Sequence, residues 1–149
     1  MKVKDIMITK VKSIHSDTPV CQAFDILSKE GLSGMPVVDD TNTLVGVFTE
    51  KDIIRYILPS YIQQVGAFIY HNSSKTIENK VHELFQKRVV YEVMRKEVIT
   101  IGPEASLAEA ARIILVEKIR RLPVIDKDNK VIGIVARQDI VKAFVQGQC

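Results

Sequence analysis

A chain of 149 residues suits one compact domain, or two very small ones that share a core. Its 21 basic residues are scattered among 18 acidic ones; a formal net charge of +3, few aromatic residues and no Trp leave neither an electrostatic footprint nor a stacking platform for nucleic acid. No stretch approaches the roughly 18 apolar residues of a membrane span, so no membrane partner is expected and a cytoplasmic location is the default.

The elements, in chain order, begin with Val11-Lys12-Ser13-Ile14, which alternates as a brief strand. Ser16-Asp17-Thr18-Pro19 starts a helix with Pro at or near its first position. Val20, Ala23, Phe24, Ile26 and Leu27 recur at helical spacing, and Gly31 stops the helix. Met35-Pro36-Val37-Val38 is a short apolar strand, and Asp39-Asp40-Thr41-Asn42 is turn chemistry. Residues 44–48 form the next strand, and Thr49-Glu50-Lys51-Asp52 opens a helix through Ile57. Pro59-Ser60 breaks it. Tyr61, Ile62, Val65, Phe68 and Ile69 form an amphipathic stretch, and Ile77, Val81, Leu84, Phe85 and Val89 mark a second helix. Beyond it follow a strand over 98–101, a helix over 106–117, strands over 122–125 and 131–135, and a helix over 137–145.

The later elements repeat the earlier ones. An offset of 87 positions lays Met7 on Met94, Ile14 on Ile101, Ala23 on Ala110, Pro36 on Pro123, Asp39 on Asp126, Asn42 on Asn129, Gly46 on Gly133 and Asp52 on Asp139, without a gap. The expected fold is therefore α+β: two βαββα units, residues 1–57 and 90–149, with a helical insert over 58–89. The nearly continuous apolar run over 131–135 suggests burial on both faces, and either unit alone buries too little surface to be comfortable. Packed sheet to sheet, the two copies would share one core about a pseudo-two-fold axis, which creates two related clefts. The insert, apolar on one face, either packs on the outside of the repeats or meets a partner.

No catalytic constellation is present. His15, His71 and His82 are dispersed, with no ligand spacing such as i, i+4, and Cys21 and Cys149 have neither a metal-ligand spacing nor a neighbouring base. The serines lack a Gly-x-Ser-x-Gly elbow, and there is no Gly-x-x-x-x-Gly-Lys phosphate loop. Neither an enzyme nor a metal site is expected.

Three motifs recur in order at the one offset: Asp5-Ile6-Met7 with Glu92-Val93-Met94, the strand Leu122-Pro123-Val124-Ile125-Asp126, and Gly46-Val47-Phe48-Thr49-Glu50-Lys51-Asp52. Together they make the chain resemble the cystathionine-β-synthase-type (CBS) repeat family over nearly all of its length outside 58–89. The resemblance implies a regulatory module that senses an adenosine compound (AMP, ADP, ATP or S-adenosylmethionine) in the cleft between repeats. It also implies a homodimer and an unidentified regulated protein. The alternative from another class is a structural dimerisation module without a physiological ligand.

On that resemblance, Asp52 would accept ribose hydroxyls while Thr49 bonds a phosphate or caps its helix; Thr-x-x-Asp is also a capping pattern. Adjacent guanidinium groups at Arg120 and Arg121 would meet phosphates, or else pair with Glu117 or Asp126. Val98, Ile99, Thr100, Ile119, Pro123 and Val47 would wall the adenine, and Lys51 would add a phosphate contact. Thr49 and Asp52 from the first copy and the arginine pair from the second would complete one site. The related second site keeps Asp139 but has Ala136 for the hydroxyl residue and Ser33-Gly34 for the basic pair, so it is expected to be weaker.

Overall fold

The computed structural model describes residues 1–58 and 74–148. The amphipathic stretch Tyr61, Ile62, Val65, Phe68 and Ile69 lies outside the described residues. The chain divides into two compact units that interleave segments of both repeats: Met1–Lys12, Val38–Leu44 and Val98–Cys149 form the first, and Ser13–Val37 and Val45–Glu97 the second.

The second unit carries a three-stranded sheet in the order β1-β2-β3, with β1 Ile14–His15, β2 Gly34–Val38 and β3 Leu44–Thr49. Helix α1 (Val20–Glu30) buries Val20, Ala23 and Leu27 and ends at Gly31, whose φ of 65° is the left-handed cap that the glycine predicts. Helix α2 spans Glu50–Ile57, α3 Ser74–Lys87 and the single turn α4 Val90–Val93. The strand expected over residues 11–14 survives only as Ile14–His15, because Thr18 N donates to His15 O and Asp17 N to His15 Nδ1, turning the chain at once.

Helix α3, the described part of the insert, packs on α1 and α2. Leu84 is fully buried in the core of Ile14, Leu27, Met35, Phe48 and Ile53, and Phe85 meets Phe24 edge to face at 5.6 Å. Just beyond the helix, Arg88 locks the arrangement by donating to Tyr56 Oη at 3.1 Å, Glu83 at 2.9 Å and Glu92 at 2.9 Å.

The first unit is built on an antiparallel pair, β4 (Arg121–Ile125) with β5 (Val131–Ala136), in the register Arg121↔Ala136, Pro123↔Ile134 and Val124↔Gly133. Helix α5 (Leu107–Glu117) starts at Ser106, whose side chain accepts from Glu109 N, and α6 spans Arg137–Val145. The strand expected over residues 98–101 shrinks to one parallel bridge, Ile101 with Val124. Gly102 and Pro103 follow immediately, and proline has no N–H with which to extend a ladder.

Within the first unit the turns of the two repeats mirror each other. Asn42 and Asn129 both take φ 63°. Leu44 N donates to Asn129 O while Val131 N donates to Asn42 O, and each asparagine amide reaches the opposite chain, at Val131 O and Leu44 O. Asp39 and Asp126 each brace their own turn by accepting two backbone N–H groups on one oxygen.

The segments preceding the repeats are placed by the same offset. In the first unit Val3 N donates to Ala105 O, and Ile8 exchanges two backbone bonds with Ile134. In the second, Val90 N donates to Thr18 O, and Arg95 exchanges two with Val47. Each passage crosses a glycine. A Cβ on Gly46 would stand 2.5 Å from Met94 Sδ and 2.7 Å from Arg95 O; on Gly133 the nearest atom is Met7 Sδ at 2.7 Å, and the backbone oxygen of Ile8 is 3.2 Å away.

Two predictions follow from these contacts. A thioether can swing aside but a bridged carbonyl cannot, so Gly46→Ala should cost about 1–3 kcal/mol and Gly133→Ala less; urea denaturation of both variants gives the order, and a reversed order would contradict the geometry. The second concerns Glu104, which accepts from Lys2 Nζ at 2.6 Å and Lys4 Nζ at 2.8 Å. Hydrogen bonds from Lys2, then from Lys4, pull its carboxyl from the ordinary 4.5 down to about 2. A depressed folded-state pKa stabilises above the unfolded value and loses that effect as pH falls through the folded one. All three side chains are largely exposed, so the contribution is small. The melting-temperature gap between wild type and Glu104→Gln should therefore be narrow at pH 7 and close between pH 4.5 and 2.

Candidate functional site

Strand β3 alternates: Leu44, Gly46 and Phe48 are buried, while Val45, Val47 and Thr49 are half-buried on the opposite face. Thr49 ends the strand in extended conformation and begins α2. Gly34 lies directly against it, since a Cβ there would meet Thr49 Cγ2 at 2.7 Å. Asp52 follows in the first turn, only 3% exposed, and is the one buried charged side chain among the described residues.

Burying a carboxylate is costly unless hydrogen bonds satisfy it. Asp52 Oδ2 accepts from Thr49 N at 2.8 Å and Thr49 Oγ1 at 3.3 Å, and Oδ1 accepts from Arg55 Nη1. Thr49 and Asp52 thus form a capping pair here, with the half-exposed Arg55 guanidinium neutralising the charge. Glu50 N, which the helix start could have offered to an anion, donates instead to Ser33 O. Lys51 projects into solvent from the next position.

The other expected residues lie in the first unit. Val98, Ile99, Thr100 and Ile119 are half-buried, and Pro123 is buried in β4 opposite Ile134. Arg120 and Arg121 are exposed. Their place is fixed by backbone: Arg120 O accepts from Arg137 N at 2.8 Å, and Arg121 pairs with Ala136. Among the described residues no carboxylate pairs with either guanidinium, so the expected alternative of ion pairs with Glu117 or Asp126 is not seen. Two cations at a strand start, unneutralised, suit an anionic ligand.

Asp139, the counterpart of Asp52, sits in a different environment. Ala136 brings no hydroxyl, Lys142 stands where Arg55 would be, and the buried Oδ2 has no hydrogen-bond partner among the described residues. A buried acceptor left open is an anomaly in a folded protein, and a donor such as a sugar hydroxyl would relieve it.

Sequence reasoning passed over Arg95. The offset sets it against an apolar residue, Ile8, and only the backbone bridge to Val47 reveals that it lies beside the Thr49 face. A lone arginine after the Met94 motif gave no signal.

Comparison with known proteins bears on this arrangement. The family model described as "CBS domain" matches the chain twice, over residues 3–59 and 90–146. The chain is 33% identical over 138 residues to the CBS domain-containing protein CBSX2, chloroplastic, of Arabidopsis thaliana, covering 89% of this chain but 58% of that relative's length. The crystal structure of CBSX2 in complex with AMP superposes with a TM-score of 0.74 at 30% identity, covering 99% of this chain and 98% of that one. The CBS domain pair of protein MJ0100 in complex with 5′-methylthioadenosine and S-adenosyl-L-methionine superposes with a TM-score of 0.68 at 27% identity, over 97% and 95%. With both repeats matched and the Met–Gly passage recurring at one offset, the chain belongs to the CBS domain family as a tandem pair of its repeats.

Proposed function

We propose that this chain is a regulatory module that binds an adenosine nucleotide, AMP, ADP or ATP, with S-adenosylmethionine as a further candidate of the same class. The observation that carries this reading is the likeness, over 99% of the chain, to a CBS pair solved with AMP. The ligand groups are Thr49, Lys51 and Asp52 with Val47, and Arg120 and Arg121 with Val98, Ile99, Thr100, Ile119 and Pro123. A ribose diol would replace the half-exposed Arg55 on Asp52 Oδ1, and the unneutralised arginines would take phosphate. The role is sensing rather than turnover: binding that favours one arrangement of the repeats would be passed on to a regulated protein.

Calorimetric titration with adenosine, AMP, ADP and ATP tests it. Asp52→Ala should weaken all four, and Arg121→Ala should weaken only those with phosphate, each by about 1–3 kcal/mol for a lost charged hydrogen bond. One strong event per chain is expected, with Asp139 and Ala136 giving at most a weak second. Two equal sites, or unchanged affinity in both variants, would remove the assignment.

A second reading, an interaction module, is favoured by a specific surface and is compatible with the first. Helices α5 and α6 pack on each other and leave Leu115 (75% exposed), Val116, Val141, Phe144 and Val145 bare. In the first repeat the corresponding helices are covered by α3. A face of this kind marks an interaction site, and we assign it to a second copy of the chain, since Glu117 on α5 and Lys142 on α6 supply opposite charges for a self-complementary contact. Light scattering should find a dimer that Leu115→Glu with Phe144→Glu converts to a folded monomer. A wild-type monomer at high micromolar concentration would exclude the homodimer.

A further inference from the structure

Arg95 stands at the edge of β3, and its backbone fixes where its side chain goes. Val47 N donates to Arg95 O at 2.9 Å, and Arg95 N donates to Val47 O at 3.0 Å. Residues that exchange both bonds across an antiparallel bridge put their side chains on the same face. Val47 shares that face with Thr49, because β3 buries Gly46 and Phe48 on the other. The neighbouring residue agrees: Met94 is buried in the core and packs over Gly46, so Arg95 is directed away from the core. Two residues along a strand is roughly 7 Å, a span within the length of an arginine side chain.

The guanidinium is exposed, and among the described residues no carboxylate pairs with it. Glu92, the nearest acid preceding it in sequence, is engaged by Arg88 and Val89 N. Folding therefore does not use this charge. In the sister repeat the same register pairs Ile8 with Ile134. A cation thus occurs at this register in the half that keeps both Thr49 and Asp52, and an apolar residue in the half where Ala136 replaces the hydroxyl.

We infer that Arg95 is a phosphate-reading residue of the Thr49–Asp52 site, making that site select nucleotides over the bare nucleoside. This rests on the adenosine-nucleotide reading given above. A guanidinium offers two parallel N–H donors to a phosphate, and Arg95 would bring them from the flank of β3 opposite Gly34, while Lys51 approaches from the helix start.

The test is titration of wild type, Arg95→Ile and Arg95→Lys with adenosine, AMP and ATP, with melting temperature as a control for folding. The Arg95→Ile variant installs the sister repeat's residue and leaves the backbone bridge in place, so its stability should match wild type. It should bind adenosine as wild type does and lose on the order of tenfold or more for AMP and ATP. Arg95→Lys, which keeps charge without the fork, should recover part of that loss. Nucleotide affinity unchanged in Arg95→Ile, or adenosine and nucleotides weakened alike, would overturn the inference while leaving the site intact. Failure of the wild type to bind any of the three would instead overturn the nucleotide reading, and this inference with it.

Discussion

In each unit a lead-in backbone closes to hydrogen-bonding distance on a strand that carries no side chain at the point of passage, and the thioether of the preceding methionine fills the space a Cβ would occupy. The elements that could bind a ligand take their positions from that passage. Gly46 lets Met94 into the core, Met94 fixes the alternation that turns Arg95 outward, and the Val47–Arg95 bridge holds the edge of the strand that ends in Thr49. A larger residue at either glycine would push the lead-in off its strand. Overpacking there would be felt at the site as well as in the core.

The 87-residue offset made most of the elements readable. It set helix stops, turns and capping residues in matched pairs, and local chemistry then decided each one: Gly31 and Lys118 both take the left-handed cap, and Asn42 and Asn129 share one φ. What the offset could not reveal is pairing. It says that Ile8 corresponds to Arg95 but not that each bridges the second strand of a repeat, at Ile134 and at Val47. Those contacts join residues far apart in sequence, so no local pattern announces them. The interleaving of segments between the two compact units escaped for the same reason, and so did the loss of the strand over 98–101.

Of the candidate site, the residue types were legible and their state was not. Thr-x-x-Asp fits both a cap and a sugar-binding pair, and the structure places it as a cap, with Arg55 as the further partner. Arg55 is one helical turn beyond Asp52, a spacing at which an ion pair is ordinary, yet the motif drew attention to the hydroxyl and away from the cation. The arginine pair shows the converse. Its acidic alternatives, Glu117 and Asp126, lie close in sequence, but β4 carries the guanidinium groups into solvent without them.

The two halves distribute size and charge in a complementary way. At the start of the first strand of each pair, Gly34 leaves room for Thr49, whereas Arg121 stands opposite the small Ala136. At the lead-in position the order reverses, with Arg95 beside Val47 and Ile8 beside Ile134. Each half therefore has one cation at one of two equivalent positions, and the hydroxyl-bearing helix start goes with the glycine. A side chain as long as arginine and a branched one such as threonine would compete for the same space if they faced each other across one strand pair. Separating them keeps Thr49 against Gly34 and Arg121 opposite Ala136, and with Ala136 in place of the hydroxyl residue Asp139 keeps an open buried oxygen where Asp52 is closed on its own helix.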